Sequence, residues 1–180
     1  MRVSAANDEV LDHYGGNTSA TPTPPPVGLQ KDVVIYDWLA PVWGWATPGS
    51  IVAAGWRAVS TLGLYLSSNQ DNTDWEQYHG AHPLSIITNA SAPHGRGWFN
   101  ITDPAQVARM LGAEGCMWGE HTNGDNLNLR LWPRAAAMAE ALWSGLDGAN
   151  TTEAYPRLLR QRCRMRQRGV PATPLQPGFC

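Results

Sequence analysis

A continuous apolar run, Val33-Val34-Ile35-Tyr36, most constrains the fold of this chain. It lacks the polar alternation of a strand with one face in water, so it is typical of a strand buried on both faces in a parallel sheet. Thr47-Pro48 then provides the N-cap and first-position proline of a helix through Ala54, and residues 57–65 predict a second strand. Strand, helix and strand in this order predict a right-handed βαβ unit.

The alternation continues towards the C-terminus. The further predicted elements are a helix from Asp103-Pro104 through Met110, a strand at 111–118, and helices at 135–143 and about 151–168. The region 67–100 is too long for an ordinary connection and is predicted to be a loop. Three parallel strands leave bare sheet edges, so we expect the complete sheet to contain more strands than this sequence provides.

Composition limits the classes of function. The 180 residues are 43% apolar, enough to bury a core, and the net charge of −2 argues against a general role in binding nucleic acid or membrane surfaces. No apolar run approaches the roughly 20 residues that span a bilayer. Nine tryptophans are many for this length. Most are expected in the core, but indole also stacks on the apolar faces of sugars, which favours carbohydrate binding modestly.

Basic charge is concentrated near the C-terminus. The arginines of this segment are Arg157, Arg160, Arg162, Arg164, Arg166 and Arg168. One interpretation is a phosphate-binding helix. The pattern favours the other, in which Leu158, Leu159 and Met165 face inward and the arginines lie on a solvated helix face.

Two features indicate the compartment and the extent of the protein. The N-x-S/T sequons, which indicate glycosylation in a secretory compartment, are at Asn17, Asn89, Asn100 and Asn150. Residues 1–9 lack the apolar core of a signal peptide. We therefore expect the natural protein to extend beyond the N-terminus of this sequence.

The three cysteines have different expected roles. Cys163 lies late in a helical pattern and Cys180 ends the chain, and the proline- and glycine-rich return between them can close a disulfide. Cys116 lies in an apolar run, which favours a buried free thiol, although an odd cysteine also allows a bond to another chain.

The strongest candidate for a binding site is the segment 115–120. Trp118 and Glu120 are two positions apart, so in an extended chain their side chains point to the same side. At the C-terminal end of a barrel strand, where barrel enzymes build their sites, the indole can cover a sugar ring while the carboxylate binds its hydroxyls. The alternative is that Trp118 is a core residue and Glu120 caps a loop.

Motifs at fixed spacings run almost continuously from about Asp32 to the C-terminus. They are Gly112-Ala113-Glu114-Gly115-Cys116-Met117-Trp118-Gly119-Glu120, Asn126-Leu127, Leu131-Trp132-Pro133-Arg134-Ala135, Ala139-Glu140-Ala141-Leu142-Trp143-Ser144, Arg162-Cys163-Arg164, Arg168-Gly169-Val170, Pro174-Leu175 and Gly178-Phe179-Cys180. Together they resemble the family-twenty β-N-acetylhexosaminidases, and in particular the eukaryotic lysosomal type.

The resemblance implies a (β/α)8 TIM barrel. This chain resembles its C-terminal portion, about the last three to four βα units plus the closing C-terminal helix, so the barrel would be incomplete. Residues 1–31 would then be a loop, a remnant of the preceding barrel strand and a proline-rich linker. Residues 32–180 would be the C-terminal part of the catalytic barrel, stapled by a Cys163–Cys180 disulfide as in lysosomal members.

The resemblance also assigns sugar-binding roles. Trp38 and Trp118 match tryptophans of the aromatic cage around the terminal sugar, and Tyr65 matches the tyrosine that hydrogen-bonds the acetamido oxygen. Glu120 matches the carboxylate that binds the distal hydroxyls. Ser67 and Leu64 replace a typical aspartate and tryptophan, which predicts weakened binding.

In this family the substrate's own acetamido group is the nucleophile. An Asp-Glu pair that follows a His and two glycines polarises that group and protonates the leaving oxygen. The only adjacent Asp-Glu here, Asp8-Glu9, lacks those neighbours. We interpret residues 6–12 as the next barrel strand, with a remnant of the catalytic pair as the weaker alternative, and expect the isolated chain to be inactive.

The expected function is hydrolysis of terminal, non-reducing N-acetylglucosamine or N-acetylgalactosamine from glycans, in the lysosome or after secretion. The resemblance allows a homodimer of the full-length protein. No cofactor or metal is expected, because the histidines show no metal-ligand spacing. The alternatives are a non-catalytic carbohydrate-binding remnant and a truncated gene product.

Overall fold

The computed structural model describes residues 3–4, 32–37, 48–61, 64–67, 75–80, 101, 103–144, 150–176 and 180. The chain divides into two compact units. Unit one comprises Met1–Leu62 with Ile86–Glu114, and unit two comprises Gly63–Ser85 with Gly115–Cys180.

Unit one contains a parallel β-sheet. Its strands are β1 (Val3–Ser4), β2 (Val34–Asp37), β3 (Arg57–Ser60) and β4 (Met110–Ala113), in the order β1-β2-β3-β4. All three strand pairs are parallel. The predicted α/β class with parallel strands is therefore confirmed. Val34 and Ile35 are buried, as the continuous apolar run predicts, and Ala58, the β3 residue paired with Ile35, is buried too.

Two short helices connect the strands of unit one. Helix α1 (Pro48–Ala53) buries Ile51 and Val52, and helix α3 (Pro104–Val107) begins at Asp103, whose carboxylate accepts a 2.8 Å hydrogen bond from the amide of Ala105. The prediction that this second helix continues through Met110 is wrong. The Arg109 carbonyl instead accepts from the Ala58 amide at 2.9 Å, so the chain has already joined the sheet.

Strand β4 is shorter than the predicted strand at 111–118. Its register against β3 shifts between Ala58 and Val59, and Gly112 adopts φ = +151°. A side chain at position 112 would strain this backbone, so glycine permits the irregular pairing.

Unit two is built mainly from helices. They are α2 (Trp75–Gly80), α4 (Leu127–Leu131), α5 (Arg134–Ser144) and α6 (Thr151–Gln167). Trp75, Ala137, Ala154, Leu158 and Leu175 form its buried core. Helix α2 lies inside the region predicted to be a loop, and its Trp75 is 1% exposed, so this part of the prediction is wrong.

The long C-terminal helix α6 has well-defined ends. Asn150 is its N-cap, and its side-chain oxygen accepts hydrogen bonds from the amides of Thr152 and Glu153. At the other end Gly169 has φ = +79°, and the amides of Gly169 and Val170 donate to the carbonyls of Arg166 and Met165. This pattern is a Schellman motif, for which glycine is the favoured residue.

A disulfide joins Cys163 of α6 to Cys180, which is the pairing that the sequence resemblance implies. Arg162 corrects the prediction that the arginines of this helix all lie in solvent. It is 5% exposed, and its Nε donates to the carbonyls of Ala172 and Thr173, while its Nη1 lies 3.0 Å from the sulfur of Cys180. Burial, with the nearby Arg166, lowers the pKa of Arg162. Arg162 and the disulfide together hold the C-terminal segment on α6.

Candidate functional site

The backbone of Tyr65 pairs directly with that of Cys116 in unit two. The two residues form an isolated parallel bridge, in which the Leu66 amide donates to the Cys116 carbonyl at 2.7 Å and the Cys116 amide donates to the Leu64 carbonyl at 3.0 Å. Trp118 therefore follows two residues beyond the position paired with Tyr65. The pairing brings the tyrosine backbone beside the segment that carries the other candidate residues.

Trp118 is not a core residue. Its side chain is 42% exposed, which excludes the interpretation that it simply fills the interior. The chain bends at residues 119–121, so it is not extended through Glu120 as the same-side argument assumes. Cys116 is half-buried and is not part of the disulfide.

The loop after Glu120 is fixed by its own polar side chains. Asn126 donates from its side chain to the His121 carbonyl at 2.9 Å and accepts from the Asn123 amide at 2.9 Å. Asn123 in turn accepts from the Asp125 amide at 2.9 Å. These local bonds hold an exposed carboxylate, Glu120, at the start of an ordered turn.

Three side chains anchor the backbone just after the Tyr65–Cys116 bridge. The Tyr78 hydroxyl donates to the Tyr65 carbonyl at 2.7 Å, Arg134 donates to the Leu66 carbonyl at 2.5 Å, and Arg130 donates to the Ser67 carbonyl at 3.1 Å. None of these three residues had a predicted role at the site. The available signal was an arginine placed among apolar residues at the start of α5.

A separate charged cluster lies between helices α2, α5 and α6. Glu140 accepts from Arg157 at 2.7 Å and lies 3.3 Å from Nε2 of His79, which is fully buried. Burial alone raises the pKa of Glu140, but the hydrogen bonds from Arg157 and His79 outweigh it, so this pKa is lowered. The hydrogen bond to Glu140 raises the pKa of Arg157.

An open groove of about 560 Å³ adjoins this cluster, and its lining includes Trp132, Glu140, Arg157, Arg160 and Arg164. The interpretation of α6 as a phosphate-binding helix stays a prediction. Leu158 and Met165 are buried and Leu159 is partly buried, as the solvated-face interpretation requires.

Several predicted site residues lie outside the residues that the structure describes. They are Asp8, Glu9, Trp38, Asn17, Asn89 and Asn100. Asn150 is described and exposed. Within the described ranges, no group of three or more His, Cys, Asp or Glu side chains is placed to hold a metal ion. None of the helices in that part of the chain combines the length and apolar character that a bilayer crossing requires.

A family profile and the sequences of known proteins point to the same family. The sequence profile described as "Glycosyl hydrolase family 20, catalytic domain" matches residues 8–146. The chain is 36% identical over 156 residues to β-hexosaminidase subunit alpha of Rattus norvegicus, covering 86% of this chain and 27% of that protein. It is 37% identical over 130 residues to β-hexosaminidase subunit beta of Homo sapiens, covering 72% of this chain and 21% of that protein. The chain thus spans about a quarter of the length of these relatives.

The fold of the chain is also similar to parts of solved structures. A chitobiase from Flavobacterium johnsoniae matches with a TM-score of 0.57 and 25% identity, over 79% of this chain and 20% of that one. A family-20 exo-β-N-acetylglucosaminidase from Vibrio harveyi, solved in complex with N-acetylglucosamine, matches with a TM-score of 0.56 and 23% identity, over 82% of this chain and 23% of that one.

Proposed function

The chain belongs to glycosyl hydrolase family 20, and on that premise we propose that it forms part of the sugar-binding wall of a β-N-acetylhexosaminidase. We further propose that its sheet and helices are the C-terminal portion of a (β/α)8 barrel. The substrate class is glycans that end in a non-reducing N-acetylglucosamine or N-acetylgalactosamine.

The observation that carries the proposal is the parallel bridge between Tyr65 and Cys116. Paired residues of neighbouring strands share a face, and residues two apart on an extended strand return to that face. The bridge therefore supports a common site for the Tyr65 phenol and the Trp118 indole. The phenol would donate a hydrogen bond to the acetamido oxygen, and the indole would cover the apolar face of the sugar ring.

Glu120 completes the proposed binding wall. Its carboxylate is exposed on a turn that Asn126 and Asn123 hold in shape, so it is available to ligand hydroxyls. An ionised carboxylate can accept two hydroxyl donors at once, and hydrogen bonds to charged groups are among the stronger ones. A sugar held at both ends in this way has a fixed ring position and a fixed orientation of the acetamido group.

Fixing the acetamido group is the contribution that this chain makes to the chemistry. In substrate-assisted hydrolysis the acetamido oxygen attacks the anomeric carbon of the same sugar, and the bond to the leaving oxygen breaks as a carboxylic acid protonates that oxygen. A phenol that orients the acetamide raises its effective molarity at the anomeric carbon. We propose that the Asp-Glu pair of the reaction is not Asp8-Glu9, because those residues lack the preceding His and glycines.

Trp38 lies outside the described residues, and its role in the aromatic cage stays a prediction. Assembly of the full-length protein into a homodimer also stays a prediction. A lysosomal or secreted location is proposed from the relatives, the sequons and the Cys163–Cys180 disulfide, because disulfides persist in oxidising compartments.

The test is the affinity of the natural gene product that contains these residues for N-acetylglucosamine, measured by isothermal titration calorimetry. Replacing Trp118 by alanine is expected to weaken binding tenfold or more, since about 1.4 kcal/mol of lost contact corresponds to a factor of ten. The matched control is Trp143→Ala, because Trp143 is 91% exposed on α5. Equal affinities for the Trp118 and Trp143 variants and the unchanged protein would exclude Trp118 from the site.

Glu120→Gln provides a second arm of the same test. Loss of the carboxylate charge is expected to weaken binding by about 1.5 kcal/mol or more, over tenfold. Glu76→Gln is the control, because Glu76 is exposed in the first turn of α2. A Glu120 variant that binds the sugar as the unchanged protein does would contradict the assignment.

A further inference from the structure

The peptide group between Tyr65 and Leu66 is held on both sides. Its amide, from Leu66, donates to the Cys116 carbonyl at 2.7 Å, and its carbonyl, from Tyr65, accepts from the Tyr78 hydroxyl at 2.7 Å. Rotation of this plane would break one bond or both. Since the plane adjoins the α-carbon of Tyr65, these two bonds limit the directions in which the phenol can point.

The next two carbonyls are also held by side chains. Arg134 donates to the Leu66 carbonyl at 2.5 Å and Arg130 donates to the Ser67 carbonyl at 3.1 Å. Three consecutive carbonyls thus each have a side-chain donor. Backbone polar groups at the end of a strand are ordinarily paired with another strand or with water. Here the donors come from three helices, Tyr78 from α2, Arg134 from α5 and Arg130 from α4.

Arg134 organises this cluster. It is 1% exposed, and besides the Leu66 carbonyl its Nε donates to the Arg130 carbonyl at 2.8 Å. Its guanidinium lies over the ring of Tyr78, 5.4 Å from the ring centroid, and its Nη1 is 3.5 Å from the Tyr78 hydroxyl. The planar guanidinium fork therefore contacts both the backbone after Tyr65 and the tyrosine that holds the Tyr65 carbonyl.

We propose that Arg134 and Tyr78 are positioning residues that orient the Tyr65 phenol for the acetamido group of the sugar. The inference rests on the proposed sugar-binding role of Tyr65. Neither residue touches the sugar in this account; they act through the Tyr65–Leu66 peptide group. A displacement of a fraction of an ångström in a binding group lowers its contribution strongly, because a hydrogen bond weakens steeply with poor geometry.

The test is a double-mutant cycle on the natural gene product, with N-acetylglucosamine as the calorimetric probe. Tyr65→Phe is expected to weaken binding about tenfold. Tyr78→Phe removes one hydroxyl, keeps the ring beneath Arg134, and is expected to weaken binding about threefold in the unchanged protein. In the Tyr65→Phe background the same change is expected to have no further effect, because no acetamide-binding phenol is left to misplace.

Arg134→Lys adds a stronger perturbation, since lysine retains the charge but cannot form the fork. Its circular dichroism spectrum and thermal midpoint show whether it folds; if it does not, the Tyr78→Phe cycle decides alone. Tyr155→Phe and Arg160→Lys are the controls, because the ring of Tyr155 packs near Trp75 and Arg160 is exposed on α6.

The outcomes separate this inference from the proposed function. If Tyr65→Phe leaves the affinity unchanged, the proposed role of Tyr65 fails, and the inference fails with it. If Tyr65→Phe weakens binding but Tyr78→Phe does not, or weakens it equally in both backgrounds, only the positioning role is overturned. A threefold loss confined to the background with Tyr65 present supports it.

Discussion

The hydroxyl of Tyr78 lies 2.7 Å from the carbonyl oxygen of Tyr65 and donates a hydrogen bond to it. This bond connects a residue of helix α2, in a region that the sequence suggested was a loop, to the backbone of the proposed acetamide-binding tyrosine. Helix α2 therefore supports the candidate site as well as the core of unit two, where its Trp75 is buried.

The cluster of His79, Glu140 and Arg157 predicts that the stability of the fold decreases at low pH. The pKa of Glu140 is lowered in the folded chain, so its charged form stabilises the fold above the pH range in which an unfolded glutamate titrates, about pH 4.3. This contribution is lost as the pH falls through the lower, folded value. We expect Glu140→Gln to lower the thermal midpoint at pH 7 and to flatten its decline between about pH 5 and pH 3.

Thermal melts across this pH range, followed by circular dichroism, check the prediction. Glu76→Gln is the control, because Glu76 is exposed and outside the cluster. An identical pH profile for the Glu140 variant and the unchanged protein would show that the cluster contributes nothing to stability.

The disulfide between Cys163 and Cys180 predicts a large effect of reduction. It closes a loop with a sequence separation of 17, and a loop of this size corresponds to about 3 kcal/mol of stabilisation. The paired replacement of both cysteines by serine is expected to lower the free energy of unfolding by that amount in denaturant melts. Cys116→Ser, which changes a cysteine outside the disulfide, is expected to change it much less. The reverse order of effects would contradict the assignment of the bond.

Asn150 is predicted to carry a glycan and to cap helix α6 at the same time. Its side-chain oxygen accepts from the amides of Thr152 and Glu153, and its nitrogen, where a glycan attaches, lies at an exposed position. Glycosylation leaves the oxygen available for capping. Thr152→Ala is therefore expected to remove the glycan and keep the cap, while Asn150→Ala removes both and costs about 1 kcal/mol of stability.

Mass spectrometry of the secreted protein and denaturant melts after enzymatic deglycosylation separate the two roles. If both variants retain the same glycan mass as the unchanged protein, Asn150 is not modified. If both have equal stability after deglycosylation, the cap contributes nothing.

The 180-residue chain by itself is predicted not to hydrolyse an aryl N-acetylglucosaminide. General acid catalysis contributes about 10²- to 10⁴-fold, and the only adjacent Asp-Glu in the sequence lacks its family context. Turnover above the buffer background that disappears in Glu9→Gln would overturn this prediction and identify Asp8-Glu9 as the catalytic pair. The matched control is Glu114→Gln, at an exposed position in unit one.

The elements that sequence reasoning predicted well have strong local signals. The apolar run at Val34 and Ile35 forms a buried parallel strand, the predicted cap Asp103 begins a helix, and the helix predicted at about 151–168 forms at Thr151–Gln167. The predicted helix from Asp103 was too long, because pairing of its last residues with β3 outweighs their helix propensity. Such long-range competition has no local sequence signal.

Helices α2 and α4 were missed for a related reason. They have six and five residues, which is too few for the apolar spacing of a helix to repeat in the sequence. Packing rather than propensity stabilises helices of this length. Arg162 was expected to lie on a solvated helix face, and no role at the site was predicted for Arg134. Each is buried and donates to backbone carbonyls, Arg134 to that of Leu66 and Arg162 to those of Ala172 and Thr173, and only the folded structure reveals these acceptors.

The most direct test of the account is a crystal structure of the natural gene product with N-acetylglucosamine bound. We predict one sugar ring with its acetamido oxygen within hydrogen-bonding distance of the Tyr65 hydroxyl, its apolar face against the Trp118 indole and its distal hydroxyls on the Glu120 carboxylate. A bound sugar that contacts none of the three, or side chains of the three pointing to different faces of the protein, would contradict the account.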